Sequence, residues 1–247
     1  MSTTGPKRAL RAVPLLCLGM LAAPTADQAW AIEGGARARA GDQLAHATVA
    51  VGTISQSARG PRVSRCSGVL IGPDLVMTAA HCVRGNPLGA AVFVYRRGEP
   101  VPSPIGVASI SRRGIQAGSL PNGELMSLAQ ALSLDVAVLR LAAPVSGRAP
   151  LPIANGLSQL PSTLRLAGVG LSSSGAGRLR TATLRPLLVT QTGLTIANVV
   201  GGQVCFGDSG GPVVVPSRRG PLLLGVASAV LTRRAPCGSI VVIAPAG

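Results

Sequence analysis

The chain has 247 residues, enough for one domain or for two small domains packed together. It carries 23 basic and 8 acidic residues, but its aromatic residues are only two Phe, one Tyr and one Trp. Platforms that stack nucleic-acid bases need more aromatic side chains, so no nucleic-acid partner is expected. Two histidines and few carboxylates also argue against a metal centre built from several such ligands.

The first 31 residues have the pattern of a secretory signal peptide. A short basic region at 7–11 precedes a mostly apolar stretch at 12–23, and Ala29-Trp30-Ala31 offers small residues at the two positions that a signal peptidase reads. The apolar stretch is too short to span a bilayer, and no later run of about 18 apolar residues follows, so no transmembrane segment is predicted. We therefore predict a secreted or periplasmic protein that is cleaved near Ala31 and begins at Ile32.

The mature sequence has the pattern of many short strands divided by turn signals such as Gly72-Pro73-Asp74. Helical periodicity is poor almost everywhere, and strands at this spacing predict an all-β sandwich or barrel. A proline-rich stretch, Ala143–Pro152, is the best candidate for a linker between two halves. The predicted strands are Thr48–Ile54, Gly68–Ile71, Leu75–Thr78, Ala91–Tyr95, Val136–Leu141, Leu164–Ala167, Leu184–Val189, Pro212–Val215, Leu222–Ala227 and Ile240–Ile243.

An even number of cysteines remains once the signal peptide is removed. In an exported protein this predicts two disulfides rather than reactive thiols. A bridge between Cys66 and Cys82 would be worth about 3 kcal/mol in the chain-entropy model, and it would hold the adjacent His81 in place. The four cysteines are Cys66, Cys82, Cys205 and Cys237.

Three separate segments hold the residues that nucleophilic catalysis with one imidazole base requires. His81 follows two alanines, which leave room around its ring. Asp135 opens an apolar strand, where burial of a carboxylate is costly unless a group such as an imidazole N–H donates to it. Ser209 lies in Gly207-Asp208-Ser209-Gly210-Gly211, and these glycines allow a tight turn that exposes the hydroxyl. They also leave backbone N–H groups free to point at a developing oxyanion.

These three blocks, in the order His, Asp, Ser, resemble the chymotrypsin/trypsin family of serine peptidases, in particular its secreted bacterial type. The resemblance implies two packed antiparallel six-stranded β-barrels with the active site in the cleft between them. Residues 32–147 are then the N-terminal barrel, which carries His81 and Asp135. Residues 148–247 are the C-terminal barrel, which carries Ser209 and the substrate pocket.

The resemblance also implies a role for each residue in a reaction that passes through an acyl-enzyme. Ser209 is the nucleophile, His81 is the base and later the acid, and Asp135 holds His81 in the productive tautomer. The backbone N–H groups of Gly207 and Ser209 form the oxyanion hole. No cofactor or metal is needed, and the expected partner is a protein or peptide substrate of a monomeric enzyme.

The segment Ile32-Glu33-Gly34-Gly35 resembles the new N-terminus that family members expose on activation. There the terminal ammonium folds inward and pairs with the aspartate before the nucleophile, which here is Asp208. Glu33 departs from the usual apolar second residue. Because Ala31 precedes Ile32, and not an arginine that awaits a second protease, we expect export itself to create the ammonium.

The predicted pocket differs from that of trypsin. Gln203, six residues before the nucleophile, is neutral where trypsin-type enzymes carry an aspartate. Val230 stands where family members with open pockets have glycine, in the segment from Ser228 that pairs with the substrate backbone. The resemblance also implies that a Cys205–Cys237 bridge braces the pocket walls. We therefore predict cleavage after small or medium uncharged residues.

Two other readings of the sequence remain open. A catalytically inactive trypsin-like fold that acts as a binding protein is disfavoured, because all three chemical residues are present. An arginine-rich binder of polyanions is favoured only by the charge. The short segment after Cys237 also lacks a clear match to the family's closing pocket strand, so the second barrel is expected to be trimmed or incompletely closed.

Overall fold

A computed structural model describes residues 1, 31–39, 41–113, 130–155, 157, 159–170, 177–231 and 237–247, so most of the predicted signal peptide lies outside the described residues. Strands dominate, beside the helix α1 (Gln43–Ala47) and a 3-10 turn at Ala80–Val83. In chain order the strands are β1 (Ala36–Arg37), β2 (Thr48–Ser57), β3 (Gly60–Gly72), β4 (Leu75–Thr78), β5 (Gly89–Arg96), β6 (Glu99–Pro100), β7 (Ile105–Arg112), β8 (Ala137–Leu141), β9 (Leu164–Gly168), β10 (Arg180–Val189), β11 (Thr195–Val199), β12 (Val204–Cys205), β13 (Pro212–Val215), β14 (Leu222–Leu231), β15 (Cys237–Gly238) and β16 (Ile240–Pro245).

The first barrel consists of six antiparallel strands in the order β2, β3, β4, β8, β7 and β5. Pairing of β2 with both β3 and β5 closes the ring, so none of these six strands leaves an open edge. Apolar side chains that alternate along the strands fill the interior, among them Val49, Val51, Val69 and Leu139, all at most 1% exposed.

The second barrel consists of β9, β10, β11, β16, β14 and β13, and β9 closes it by pairing with both β10 and β13. The expectation of an incompletely closed barrel is therefore wrong. β16 pairs with β11 and β14. The single residue Ser239 connects β15 to β16. The short strand β1 adds to the outer edge of β10.

The all-β fold of two six-stranded antiparallel barrels confirms the predicted fold class, and all ten predicted strands overlap observed ones. The proline-rich stretch lies between β8, the last strand of the first barrel, and β9, the first of the second. It is packed rather than loose, since the N–H of Leu151 donates to Leu70 O and that of Val145 to Pro73 O. Within the described part of the chain, we find no helix with the length and apolar character that crossing a membrane requires.

Candidate active site

A histidine and an aspartate from two adjacent strands of the first barrel form a hydrogen-bonded pair. His81 lies in the 3-10 turn after β4, and Asp135 lies just before β8, which pairs with β4. Nδ1 of His81 is 2.8 Å from Asp135 Oδ2, and the His81 backbone N–H donates to Oδ1 at 2.9 Å. Because a carboxylate only accepts, it holds the ring proton on Nδ1 and leaves Nε2 as the basic atom.

Ser228 of the second barrel donates a third hydrogen bond to this carboxylate, from Oγ to Asp135 Oδ2 at 2.5 Å. The pairing of β14 with β16 shifts register between Ala227 and Ala229, so Ser228 is the extra residue of a bulge, a device that re-aims a side chain. Burial raises the pKa of Asp135, but the hydrogen bonds from His81 and Ser228 outweigh it, and the pKa lies below its usual value. The carboxylate is therefore ionised across the neutral range.

Ser209 of the second barrel lies against the residues that flank His81. Its carbonyl accepts the N–H of Ser67 at 2.8 Å and lies 3.7 Å from Cys82 Sγ. The same sulfur is 3.8 Å from His81 Nε2, so the basic nitrogen and the Ser209 carbonyl lie against one disulfide, although the described residues show no hydrogen bond between His81 Nε2 and Ser209 Oγ. Cys82 is bridged to Cys66, which fixes this contact, and the first predicted disulfide is confirmed.

The loop that carries Ser209 is held in a tight turn by two glycines. Gly207 has φ +91° and Gly210 has φ +81°, values that side-chain-bearing residues rarely adopt. A Cβ on Gly210 would also collide with the carbonyl of Ser67. The N–H of Asp208 donates to a backbone carbonyl of the same loop, whereas the described residues offer no hydrogen-bond partner to the N–H of Gly207 or Ser209. These two donors remain available to an anion.

Asp208, next to Ser209 in the same loop, is fully buried. Its Oδ2 accepts the backbone N–H groups of Ile32 at 3.0 Å and Cys205 at 2.9 Å, and its Oδ1 accepts that of Gly170 at 2.9 Å. Burial raises the pKa of Asp208 to about 6, although the three N–H groups oppose the change. With Ala31 still attached to Ile32, the described residues place N–H dipoles but no cation beside this carboxylate.

The backbone of Ile32 is in an unfavourable conformation. Its φ is +41°, in the left-handed region that β-branched residues avoid, and such strain costs about 1–3 kcal/mol. Its side chain is buried in the second barrel with Leu164 and Leu184. Because φ of Ile32 is defined by the carbonyl carbon of Ala31, removing Ala31 removes the strain.

The residues predicted to shape the substrate pocket lie on the second barrel. Gln203 is exposed, and its N–H donates to the carbonyl of Glu33 at 2.9 Å. Val230 is half-buried in β14, two residues beyond the bulge at Ser228. The second predicted disulfide, Cys205–Cys237, is confirmed and joins β12 to β15.

Two groups of His, Cys and acidic side chains in the described segments come close enough together to suggest a metal site. One contains Cys66, His81 and Cys82, and the other contains Cys205, Cys237 and Glu33. In each group both sulfurs belong to a disulfide, so neither sulfur offers the thiolate that metal ions bind. Neither group fits a metal ion.

Sequence reasoning therefore selected residues that the fold does bring near one another, but it did not foresee the contacts of two serines. Ser228 had been assigned to the substrate-pairing segment, and its bond to Asp135 was not foreseen. Ser67 had no assigned role, although it contacts Ser209. No local sequence pattern marks either serine, since each contacts a residue that is far away in the chain.

Known proteins share this sequence pattern and this architecture. The family model named Trypsin matches residues 32–245. The solved structure of HL collagenase superposes with a TM-score of 0.64 at 20% sequence identity, covering 87% of this chain and 93% of that chain. At that identity the structural likeness shows the shared fold of two β-barrels, whereas the family model spans most of the chain.

Proposed function

Because the chain belongs to the trypsin family and is a serine endopeptidase, we propose that His81, Asp135 and Ser209 form its catalytic triad. The observation that carries this proposal is the His81–Asp135 hydrogen bond of 2.8 Å, beside a disulfide sulfur that lies 3.8 Å from His81 Nε2 and 3.7 Å from the Ser209 carbonyl oxygen. The loop with two N–H groups that have no partner among the described residues supports Gly207 and Ser209 as the oxyanion hole.

The proposed reaction has two halves. Ser209 Oγ attacks the scissile carbonyl carbon while its proton passes to His81 Nε2, and the negative oxygen is held by the N–H groups of Gly207 and Ser209. The intermediate then collapses, and the leaving amine takes the proton from Nε2. Water repeats the sequence on the acyl-enzyme, and Asp135 stabilises the imidazolium in both halves.

A fluorophosphonate probe is expected to label the purified, signal-cleaved protein once per chain, at Ser209. Ser209→Ala is expected to abolish labelling while circular dichroism stays that of the wild type, because Oγ is the only atom removed. The matched control is Ser217→Ala, which removes the hydroxyl of an exposed serine whose hydrogen bonds to described residues all lie within its own turn. A folded wild-type protein that remains unlabelled would instead favour the inactive binding protein.

The N-terminal device is the second part of the proposal. Removal of the leader after Ala31 turns the Ile32 N–H, already 3.0 Å from Asp208 Oδ2, into an ammonium beside a buried carboxylate. A pair of opposite charges at this distance favours the ionised form of Asp208. Export then yields active enzyme directly, and no inactive precursor accumulates outside the cytoplasm.

The proposed substrates are proteins with small or medium uncharged residues before the scissile bond. Neutral Gln203 offers no negative charge to an arginine or lysine side chain, and Val230 narrows the mouth of the pocket. We expect a diverse peptide library to be cleaved at least about tenfold faster after Ala, Val or Ser than after Arg or Lys. One extra methylene or one unpaired charge on the substrate side chain in the pocket changes the cleavage rate by about this factor. Preferential cleavage after Arg or Lys would contradict this assignment.

The proposed location is the periplasm or the extracellular space. Two formed disulfides are consistent with an oxidising compartment, and the segment before Ile32 has the sequence pattern of a secretory leader. We propose a monomer that acts without cofactor or metal.

A further inference from the structure

Ser67 is a buried polar residue that the reaction above does not use. It lies in β3 directly after Cys66, and it is 0% exposed. Its N–H donates to Ser209 O at 2.8 Å, and its carbonyl accepts the hydroxyl of Thr78 at 2.7 Å. Both of its backbone groups are therefore engaged, one of them by the nucleophilic residue.

The hydroxyl of Ser67 links two segments of the other barrel. Oγ donates to Gly207 O at 2.9 Å and accepts the N–H of Val169 at 2.9 Å. The residue after Val169 is Gly170, whose N–H donates to Asp208 Oδ1. One side chain of the first barrel thus joins the nucleophile loop to the segment that supports the buried aspartate.

We propose that Ser67 is a positioning residue that fixes the oxyanion hole. This inference rests on the proposed function, which assigns the N–H groups of Gly207 and Ser209 as the donors. Ser67 holds both of these residues by their carbonyls, Gly207 through its hydroxyl and Ser209 through its N–H. Gly207 has no side chain to restrict its backbone, so fixing its carbonyl holds the peptide group that joins it to Asp208 and limits the rotation of Gly207 between its two peptide groups.

The position of Ser67 also relates the oxyanion donors to the base. Its neighbour Cys66 is bridged to Cys82, which follows His81 in the chain. The contacts of two consecutive residues, Cys66 and Ser67, therefore set the base and the oxyanion hole relative to each other across the two barrels. Preorganised donors of this kind act on the transition state, because the charge on the oxygen develops only there.

Replacement of Ser67 by alanine tests the role. We expect Ser67→Ala to lower kcat by about 10-fold to 100-fold, less than the loss of an oxyanion donor itself, and to change KM by less than about 3-fold. A peptide boronic acid that ends in alanine forms a tetrahedral adduct with an oxygen in the oxyanion hole. Its affinity is expected to fall by the same factor as kcat, because it resembles the transition state.

Two further variants separate positioning from stability. Ser67→Thr keeps the hydroxyl and is expected to recover most of kcat and of the boronic-acid affinity. Thr48→Val removes a different buried hydroxyl of the first barrel, which donates to Leu44 O at 2.7 Å, and is expected to lower Tm but leave kcat unchanged. If Ser67→Ala does not accumulate in folded form, the same measurements on Ser67→Gly decide the question.

The outcomes distinguish this role from the function on which it rests. A wild-type protein that reacts with neither the fluorophosphonate nor the boronic acid overturns the proposed function, and the role of Ser67 with it. A reactive wild type and a Ser67→Ala variant with wild-type affinity for the boronic acid overturn the role of Ser67 alone. The role of Ser67 is also overturned if Ser67→Ala weakens boronic-acid binding only by the factor by which it raises KM. A residue that is merely structural would give that result.

Discussion

Asp135→Asn is expected to lower kcat by about 10⁴, as loss of the triad carboxylate does in other serine peptidases, while KM is expected to change little. The two oxygens of Asp135 accept two hydrogen bonds from His81 and one from Ser228. An asparagine offers one oxygen and one NH₂ group to the same three donors. An NH₂ group opposite His81 Nδ1 forces the ring proton onto Nε2, which then cannot take the proton of Ser209.

The measurement is kcat and KM on a peptide substrate, normalised by active-site titration. Asp74→Asn is the matched control, because it makes the same change in the same barrel at a carboxylate that pairs with Arg140 at 2.7 Å on the surface. Surface pairs of this kind are worth about 0–1 kcal/mol, so this variant is expected to keep wild-type kinetics. A loss of less than about tenfold in Asp135→Asn would contradict the assigned role.

An N-terminally extended form, in which residues before Ile32 are retained, is expected to have about 10²-fold to 10³-fold lower kcat than the cleaved enzyme. Without the ammonium, the charge of Asp208 is buried unpaired, and such a charge costs about 3–5 kcal/mol. Once Asp208 ionises at neutral pH, the loop that carries Gly207 and Ser209 is therefore expected to lose its order in the extended form. Activity of the extended form, compared with that of a form produced with Ile32 as its first residue, measures the effect, and N-terminal sequencing identifies the active species. Full activity from a chain that starts at a residue other than Ile32 would contradict the proposed role of the Ile32 ammonium.

The extended form is also expected to lose stability as pH rises from about 4 to 6. The pKa of Asp208 is raised from 3.8 in the unfolded chain to about 6 in the fold, so the folded state binds more protons in this window. Its contribution is fully present below pH 3.8 and is lost as pH rises through 6, a change of about 3 kcal/mol. Urea unfolding at several pH values measures it. Asp208→Asn in the extended form is expected to remove this slope, and the cleaved enzyme is expected to show a smaller one.

The strands that sequence reasoning found are those whose apolar residues alternate or run together. β7 was missed because Ile105–Arg112 interleaves its two isoleucines and one valine with Gly, Ala, Ser and Arg and has no buried residue. β11 was missed because Thr195–Val199 is short and follows a turn without a strong apolar run. The closing strand β16 was recognised as a strand, but its place in the second barrel depends on pairing, which no local pattern shows.

The residues of the candidate site also divide into those that local sequence identifies and those that it does not. Local sequence was enough to select His81, Asp135 and Ser209. His81 follows two alanines, Asp135 opens an apolar strand, and Ser209 lies among glycines. Ser228 and Ser67 could not be selected in this way, because the contacts that give them a role join residues 93 and 140 positions apart. Their assignment required the register of β14 with its bulge and the packing of β3 against the nucleophile loop.

The burial of Ala31 and Ile32, both 0% exposed, sets an order of events for biogenesis. A leader peptidase must draw an extended segment into its own cleft, and the folded protein keeps that peptide bond out of reach. If cleavage after Ala31 makes the active enzyme, as proposed, it has to come during export, before the C-terminal barrel assembles around the new terminus. A molecule that folds first would be trapped with its leader attached, so the speed of processing relative to folding determines the yield of active enzyme.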